Sequence, residues 1–413
     1  KDGGSVNEKS TKNPLNPSIG NEILTLRYNS NLKSTLNKLS WKDFQPLSNP
    51  VSIDFLEQCM ENYIKKQNLE SQKKISIALS GGVDSTLSLA IIRKMYPNLE
   101  INAFSIKFAD SIDESQIASK IADRLGANHE VISLENYLLE LPRAISIIKQ
   151  PFWDLHWYYL IKNASLNSSH IISGDGGDEL FGGYTFRYSK FLSSINNKST
   201  VIEKIQAYLQ CHERDHVPDQ ELLFGKKSHF SWDSIHSILL PYFDNPLDPL
   251  DQVFLSDYNG KLLYNFAPIN SAIHKYFDIK SVTPILNSEL IEYGSHLPSS
   301  EKYDKITKLG KLPLRKLLDK YGMNDLLNDQ KQGFSINTLN LWKSFGKKLC
   351  KFYLDESRLV QDNWINNEWI IKHIDRDDLD VRYVNKFLGL LAFEVWYRLF
   401  ITNEMKSSEK LII

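Results

Sequence analysis

The sequence predicts an α/β protein in which a parallel sheet carries helices on both faces and is followed by a mainly helical C-terminal half. Two patterns predict this fold. Between residues 73 and 183, strand-like segments alternate with helical patterns of about 10 to 15 residues, as in successive βαβ units. From about residue 184 the pattern is mostly helical, with stripes of aromatic residues and leucine. Ligands of such sheets bind beyond the carboxyl ends of the strands, so the loops there are candidate sites.

The individual elements follow from hydrophobic patterning. Strands are predicted for KKISIAL (73–79), INAFSIKF (101–108), HEVISL (129–134) and HIISG (170–174). Helices are predicted from about Ser85, from about Glu114 to Leu125, and from Leu138 to Ile148. Nearer the N-terminus, we predict a strand from Leu24 (LTLRYNS) and a helix over residues 53–66.

The segments between and beyond these elements suggest a domain organisation. Polar residues without periodicity predict a flexible tail or linker at the N-terminus. The complete division is 1–20 as tail or linker, 21–50 as a short segment that is a remnant of or linker to an upstream domain, 51–405 as one domain (core containing the sheet about 73–184, helical portion about 185–405), and 406–413 as a tail. Because the first residue is Lys1 rather than Met, we expect that further chain precedes it.

Composition limits the class of protein. Among 413 residues, 49 Lys and Arg balance 50 Asp and Glu, so no overall positive field favours nucleic acid or an anionic membrane. Cys59, Cys211 and Cys350 are too few and too scattered for a disulfide framework or a cysteine-rich metal site, and we expect them to be core residues. No run of 18 apolar residues occurs. We therefore expect a soluble cytoplasmic protein without a membrane partner.

A first chemical motif, Ser80-Gly81-Gly82-Val83-Asp84-Ser85-Thr86, lies between a predicted buried strand and a predicted helix. A glycine- and serine-rich turn before a helix presents backbone N–H groups and the positive end of the helix dipole, which bind phosphate oxygens. The loop lacks the Lys of the GxxxxGK[ST] motif, so its chemistry should differ from cleavage at the γ-phosphate. Asp84 is better suited to a metal ion than to a phosphate.

A second motif, SGDGGDELFGGY (173–184), follows another predicted strand. Its three carboxylates, Asp175, Asp178 and Glu179, would repel one another unless a cation or cationic ligand is bound. Magnesium bound to pyrophosphate satisfies that requirement. If both motifs lie at the same edge of the sheet, they form one nucleotide site.

Together these motifs resemble the synthetase domain of asparagine synthetases and their relatives, which include β-lactam and carbapenam synthetases and lasso-peptide cyclases. SGGVDST is similar to the pyrophosphatase-type loop shared with GMP and NAD synthetases, and SGDGGDELFGGY narrows the match to the asparagine-synthetase-like branch. The resemblance covers about residues 50 to 400. It continues through FSIKF, Asp113-Glu114, His129, KLPLR (311–315), KQGF (331–334) and FEVWYR (393–398).

The resemblance implies an adenine-nucleotide α-hydrolase-like fold and a role for each matching residue. It implies that ATP and Mg²⁺ are bound, with Ser80, Gly81, Gly82 and Ser85 around the pyrophosphate, Ile106 and Gly174 against the adenosine, and Asp84 and Asp178 as metal ligands. Lys311 and Lys331 match the lysines that neutralise the triphosphate and the developing acyl-adenylate. Asp175 matches a position that touches the acceptor amine or the substrate carboxylate.

The implied activity is an ATP-dependent amide ligation that releases AMP and pyrophosphate, with aspartate and ammonia as default substrates. The 413 residues include no N-terminal cysteine nucleophile and no glutaminase domain, so we expect ammonia to arrive free, from a separate glutaminase subunit or from an upstream domain. The resemblance allows a homodimer.

One segment departs from the family pattern. In residues 265–294, Pro284, Leu286 and Glu292 persist, whereas the family's arginine and first aspartate are replaced. This change favours a cyclase or a ligase acting on a different acid or a peptide as an alternative. An RNA-modifying enzyme with the same loop and a regulatory subunit with residual nucleotide affinity are further alternatives. RNA-modifying enzymes of this kind usually carry cysteine pairs or a basic RNA-binding domain, and this sequence shows neither. A regulatory subunit would not need Asp84, Asp178, Lys311 and Lys331 together.

Overall fold

The computed structural model describes residues 15–47, 52–108, 115–327 and 333–413. Within these ranges, a five-stranded sheet forms the centre, with strands β1 (Lys74–Ala78), β2 (Glu100–Phe108), β3 (Asn128–Leu134), β4 (His170–Ile172) and β5 (Lys280–Val282). The order is β3-β2-β1-β4-β5 and every neighbouring pair is parallel. The four predicted strands from residue 73 onward are confirmed, and β5 comes from the segment that departs from the family pattern.

Helices make up most of the rest of the described chain. They are α1 (Gly20–Leu26), α2 (Ile53–Lys65), α3 (Val83–Met95), α4 (Ser115–Arg124), α5 (Leu141–Ile148), α6 (His156–Ala164), α7 (Gly177–Phe181), α8 (Thr185–Ser193), α9 (Val201–Gln210), α10 (Trp232–Phe243), α11 (Pro249–Asp257), α12 (Ala267–Tyr276), α13 (Ser288–Ser295), α14 (Ser299–Lys302), α15 (Leu312–Lys320), α16 (Gly333–Leu341), α17 (Lys347–Asp355), α18 (Arg358–Gln361), α19 (Asn367–Ile374) and α20 (Val381–Phe400). Two π-helical turns are Tyr258–Phe266 and Trp342–Gly346. Short 3₁₀ turns are Pro17–Ile19, Trp41–Phe44, Leu69–Ser71, Gln220–Leu223, Lys226–Ser228 and Asn324–Leu326.

Both faces of the sheet are covered, as predicted. Neighbouring residues of a strand point to opposite faces. Ala103 and Ile172 pack in one core with residues of α2 and α3, whereas Phe104 and Ile171 pack in a second core with residues of α5, α6 and α20. The four predicted helices agree with α2, α3, α4 and α5 to within a few residues. Residue 114, where the third of them was predicted to begin, lies outside the described residues.

The strand predicted from Leu24 is wrong, because Gly20–Leu26 is helical. Ile19, Ile23 and Leu26 are buried at helical spacing, a pattern that an analysis starting at Leu24 cannot detect. The helix packs closely on α20, since a Cβ atom added at Gly20 would lie 2.5 Å from Phe393 Cε1.

Both ends of the described chain are packed more closely than their assignment as tails suggests. Ile19, within the predicted tail 1–20, is buried, and residues 1–14 of that tail lie outside the described residues. At the other end, Leu411 is completely buried and its N–H donates to the carbonyl of Leu139 at 2.9 Å. The domain boundaries themselves stay predictions.

The strand order defines where a ligand should bind. The chain runs from β1 outward to β2 and β3, then returns to the other side of β1 to form β4 and β5. In open parallel sheets, the crevice at the carboxyl ends of the two strands flanking such a reversal is the usual ligand site. Here those strands are β1 and β4, and the two sequence motifs follow them directly.

Candidate active site

The loop after β1 is closed by its own serines. Ser85 Oγ accepts a hydrogen bond from the Ser80 N–H at 3.2 Å, and the Gly82 N–H donates to Ser80 Oγ at 3.3 Å. Gly81 has a φ of 81°, a left-handed conformation that favours glycine. The loop leads into α3, so the N-terminal end of that helix opens toward the crevice. This local geometry provides the N–H groups and the dipole that an anionic ligand needs.

The loop after β4 approaches the first loop closely because it contains glycines. A Cβ atom at Gly174 would lie 2.6 Å from Asp84 Cβ, and one at Gly177 would lie 2.3 Å from Asp84 Cγ. A larger residue at either position would have to displace Asp84. The two glycines therefore allow the carboxylates of the two motifs, Asp84 and Asp178, to face the same space.

Lys311 joins these two carboxylates. Its Nζ lies 2.7 Å from Asp84 Oδ2 and 2.7 Å from Asp178 Oδ1, and the residue is 5% exposed. Burial opposes the charged form of the lysine, but the charges of Asp178 and Asp84 outweigh burial and raise its pKa above the usual range. Lys311 is thus a fixed cation at the centre of the crevice.

The backbone around Lys311 is specialised for this placement. Its φ of 56° is in the left-handed region, which lysine rarely adopts, and its N–H donates to the carbonyl of Phe181 at 2.9 Å. A Cβ atom at Gly183 would lie 2.4 Å from Lys311 Cε and 2.0 Å from Asp178 Oδ1. A strained conformation held by close packing is typical of functional positions.

The donor set fits a magnesium ion that is bound mainly by phosphates. Because Asp84 Oδ2 and Asp178 Oδ1 both contact one ammonium group, they cannot be farther apart than twice 2.7 Å, so a closure of about 1 Å or less brings them within the ~4.2 Å that two ligands of one Mg²⁺ can span. Among the described residues, no group of three or more His, Cys, Asp or Glu side chains could hold a metal ion by itself. Two carboxylates completed by water and phosphate oxygens are typical of Mg²⁺ sites in nucleotide enzymes.

The third carboxylate of the motif does not share this position. Glu179 is 4% exposed and accepts a hydrogen bond from the Tyr184 hydroxyl at 2.9 Å. Burial, together with the charge of Asp178, raises the pKa of Glu179 well above its usual range. The repulsion inferred from sequence is therefore relieved partly by turning one carboxyl group into the core.

Asp175 lies beside a polar cluster that the sequence analysis did not identify. Burial raises the pKa of Asp175, while Ser173, Asn270 and His156 act to lower it. His156 Nδ1 is 3.4 Å from Asp154 Oδ1. The signal that could have identified this pair is an Asp-x-His sequence directly before a helix that leads into β4, because such a helix begins at the carboxyl edge of the sheet.

The remaining predicted site residues are distributed around the same edge. Ile106 is half-buried near the end of β2. Its neighbour Ser105 donates to the carbonyl of Leu79 at 2.6 Å and forms a 2.8 Å hydrogen bond with His129 Nε2. Lys331 and Asp113-Glu114 lie outside the described residues. The structure thus brings Asp84, Asp178 and Lys311 into contact, and the nucleotide-binding roles stay predictions.

The cysteines have no place in this chemistry. Cys59, Cys211 and Cys350 are buried, and burial raises the pKa of each thiol, to about 12 for Cys59 and Cys211. A thiol with a raised pKa is a poor nucleophile at neutral pH. Their expected role as core residues agrees with this burial.

Comparison with known proteins gives a family match. The asparagine synthase family model matches residues 56–398. Asparagine synthetase [glutamine-hydrolyzing] 1 of Bacillus subtilis is 23% identical over 379 residues, covering 83% of this chain and 58% of that protein. A putative asparagine synthetase [glutamine-hydrolyzing] of Mycobacterium tuberculosis is 21% identical over 391 residues, covering 85% of this chain and 58% of that protein. The chain therefore spans somewhat more than half the length of these relatives.

Solved structures resemble the chain more distantly. An NMN synthetase from Francisella tularensis is 16% identical with a TM-score of 0.25, covering 57% of this chain and 100% of that one. A U34-tRNA thiolase from Methanococcus maripaludis is 12% identical with a TM-score of 0.26, covering 54% of this chain and 78% of that one. In the part of the chain that the structure describes, no helix is both long and apolar enough to cross a bilayer.

Proposed function

The chain belongs to the asparagine synthase family, and from this premise we propose that it is an ATP-dependent ligase that forms amides. It would activate a carboxylate as an acyl-adenylate, release pyrophosphate, and transfer the acyl group to an amine. Aspartate and ammonia are the proposed substrates. The observation that carries the proposal is the contact of Lys311 with Asp84 and Asp178 at the crevice between β1 and β4.

The loop after β1 would bind the phosphates of ATP. Backbone N–H groups at Gly81 and Gly82, with the start of α3, would donate to the phosphate oxygens, and the Ser80 and Ser85 hydroxyls would complete the loop. Ile106 and Gly174 would contact the adenosine. Mg²⁺ held by Asp84 and Asp178 would neutralise charge on the pyrophosphate as it leaves.

Lys311 would balance charge in two situations. Without nucleotide, its ammonium group neutralises Asp84 and Asp178. With a nucleotide bound, the same group lies at the edge of the sheet where negative charge develops between the α- and β-phosphates. A charged donor in a site shielded from water stabilises such charge more strongly than it would in bulk solvent. Lys331 would be a second cation for the α-phosphate and the tetrahedral oxyanion.

The carboxylate must be activated because its oxygen is a poor leaving group. Attack of that oxygen on the α-phosphate makes AMP the leaving group of the next step. Asp175, at the end of β4, would contact the incoming amine or the substrate acid. Water has to be excluded while the acyl-adenylate exists, because water would hydrolyse it.

A second candidate is a ligase or cyclase for a different acid or a peptide. The segment 265–294, where the family pattern is altered, supplies Asn270, which hydrogen-bonds with Asp175. A hydrogen bond from this altered segment to the proposed acceptor-contacting carboxylate supports a change in the acid or the amine. The nucleotide chemistry would be the same in both candidates.

The proposal also concerns the nitrogen source and the setting of the enzyme. Ammonia would be delivered free or by a separate glutaminase subunit or domain, the enzyme would act in the cytoplasm, and a homodimer is the proposed assembly. For the 413-residue chain, ammonium should support turnover and glutamine should not, since its cysteines are internal and buried.

A pyrophosphate-release assay tests the function. Purified protein with Mg·ATP is supplied with aspartate, other amino acids or small peptides, each with ammonium or with glutamine. AMP and pyrophosphate in equal amounts, dependent on both the acid and ammonium, support the proposal. ADP with orthophosphate as products would exclude it, and turnover with a peptide but not with aspartate would favour the second candidate.

A further inference from the structure

A titratable pair at the start of α6 is not used in the mechanism above. His156 is the first residue of α6, and its Nδ1 lies 3.4 Å from Asp154 Oδ1. The same carboxylate oxygen accepts a hydrogen bond from the Tyr137 hydroxyl at 2.6 Å. Tyr137 is 4% exposed and also interacts with the backbone N–H of His156. One buried tyrosine thus fixes both members of the pair.

Two observations place the pair at the crevice: the exposure of the His156 side chain and the position of α6 directly before β4. The side chain of His156 is 52% exposed, whereas that of Asp154 is 29% exposed. Since Nδ1 faces Asp154, Nε2 is the nitrogen left to meet a substrate. α6 leads into β4, so its first residue lies at the carboxyl edge of the sheet, where β4 ends just before Asp175. The charge of Asp175 acts on His156, as expected for groups that share one edge.

Building on the proposed ligase function, we propose that His156 is the base that deprotonates the amine during amide formation, and that Asp154 and Tyr137 are positioning residues. The amine nitrogen attacks the acyl carbonyl and a carbon–nitrogen bond forms. The carbon–oxygen bond to AMP breaks, and AMP leaves with the bonding electron pair. The proton that the nitrogen loses goes to Nε2 of His156, so the products are the amide, AMP and a histidinium ion.

The chemistry requires such a group. An amine that attacks a carbonyl becomes positively charged and must lose a proton before the amide is stable. The nucleophile is free ammonia, since the ammonium ion that predominates at neutral pH gives its proton to water before ammonia enters the site. A histidine held by a carboxylate is a common base for this task. Asp175, which hydrogen-bonds with Ser173 and Asn270, would position the amine.

The charged and titratable groups that face His156 set the direction of its pH dependence. They are Asp154 in the preceding loop, Asp175 from the β4 loop, Tyr137 after β3, and Arg27 directly after α1, which acts on Asp154. Burial lowers the pKa of His156, but Asp154 and Asp175 outweigh burial and raise it. A base must be unprotonated, so amide formation should fall as pH decreases through this raised pKa.

The test separates the two half-reactions in His156→Gln and Asp154→Asn, with His236→Gln on α10 as the matched control. Adenylation is followed as pyrophosphate release with aspartate and Mg·ATP. Acyl transfer is followed in the same protein with ammonium and, separately, with hydroxylamine, which is mostly unprotonated at neutral pH. His156→Gln should adenylate within about threefold of the unmodified protein but form amide about 10²- to 10⁴-fold more slowly with ammonium.

Hydroxylamine nitrogen also loses a proton when it attacks, so hydroxamate formation by His156→Gln should fall as well, and His236→Gln should be unchanged in both reactions. Because hydroxylamine itself is already unprotonated near neutral pH, the acid limb of its rate reports the histidine, and that limb should be absent in His156→Gln. Asp154→Asn should lower kcat with ammonium and shift the acid limb of the pH profile downward, because the carboxylate that raises the histidine pKa is gone.

Every other pattern overturns the assignment. No loss with either amine, or an acid limb with hydroxylamine that persists in His156→Gln, would show that His156 takes no proton. Loss of adenylation in His156→Gln alone would assign the residue to activation or to folding. If the unmodified protein adenylates no acid at all, the proposed ligase function fails and the base assignment fails with it. NMR titration of the histidine ring then still shows separately whether Asp154 raises its pKa.

Discussion

Replacing Lys311 by methionine tests whether this lysine neutralises two carboxylates that otherwise bind a metal. Lys311→Met keeps the length of the side chain and removes the charge. Asp84 Oδ2 and Asp178 Oδ1 would then face each other at no more than twice 2.7 Å, in a site where their side chains are 13% and 26% exposed. At a separation of about 5 Å and an effective dielectric constant of about 20, their repulsion is ~3 kcal/mol.

This repulsion predicts a measurable loss of stability. For 413 residues, the entropy of unfolding is about 0.9 kcal/mol per degree, so ~3 kcal/mol lowers Tm by about 3 to 4 °C. Adding Mg²⁺ without nucleotide should recover most of that loss in Lys311→Met, because the carboxylates are no longer occupied by the ammonium group. The unmodified protein should respond much less to Mg²⁺ alone.

Thermal unfolding with and without millimolar Mg²⁺ measures both effects. Lys320→Met is the matched control, since Lys320 lies on the same helix, α15, and its side chain is 49% exposed beside Glu57. That control should show little change in Tm and no new response to Mg²⁺. An unchanged Tm in Lys311→Met, or an Mg²⁺ response equal in all three proteins, would refute the reasoning.

Three further predictions concern the same crevice. Asp178→Asn should fold normally but lose on the order of 10²-fold or more in Mg²⁺-dependent turnover, and near-normal rates at saturating Mg²⁺ would identify a structural turn residue. Gly177→Ala should weaken nucleotide binding, measured by calorimetry, because its Cβ would lie 2.3 Å from Asp84 Cγ; unaltered affinity would show that Asp84 can move freely. Lys331→Ala should leave ATP affinity within a few fold and lower kcat by about 10² to 10⁴, whereas unchanged single-turnover rates would indicate a solvated lysine.

The central sheet could be predicted because its signals are local and strong. In KISIA the two isoleucines flank a small serine and a Ser-Gly-Gly turn follows shortly afterwards, and parallel strands buried on both faces need such short runs with little charge. The strand predicted at Leu24 was wrong because the seven-residue helix there packs against α20, nearly the whole length of the chain away. Tertiary packing of this kind cannot be inferred from a short pattern.

In the candidate site, too, the features set by local sequence could be predicted, whereas those that depend on tertiary packing could not. Asp84 and Asp178 could be predicted to lie together because each follows a strand of one parallel sheet. The contact with Lys311 depends on a left-handed backbone and on Gly183, and the turn of Glu179 into the core depends on Tyr184. His156 was missed because a single histidine has no distinctive sequence pattern.

A buried lysine outside the crevice provides the last prediction. Lys302 is completely buried, its Nζ has no hydrogen-bond partner among the described residues, and it lies 5.0 Å from the ring centre of Phe254. Burial lowers its pKa, and the charge of Asp251, which is 2% exposed, opposes that shift. Burial likewise raises the pKa of Asp251. Such a pair costs desolvation free energy that its mutual attraction only partly offsets.

Lys302→Met should therefore destabilise the protein by up to ~3 kcal/mol near pH 6.5, where both groups of the pair carry charge, while Lys302→Met with Asp251→Leu should recover that loss or exceed it. The pKa of Asp251 is raised to about 6 and the pKa of Lys302 is lowered to about 7. The penalty should therefore be small at pH 5, where Asp251 takes up a proton, and should decline again at pH 8, where Lys302 loses its charge in the unmodified protein. Urea unfolding at the three pH values measures this. A penalty independent of pH, or a double variant no more stable than the single one, would show that Lys302 and Asp251 are not energetically coupled in the core.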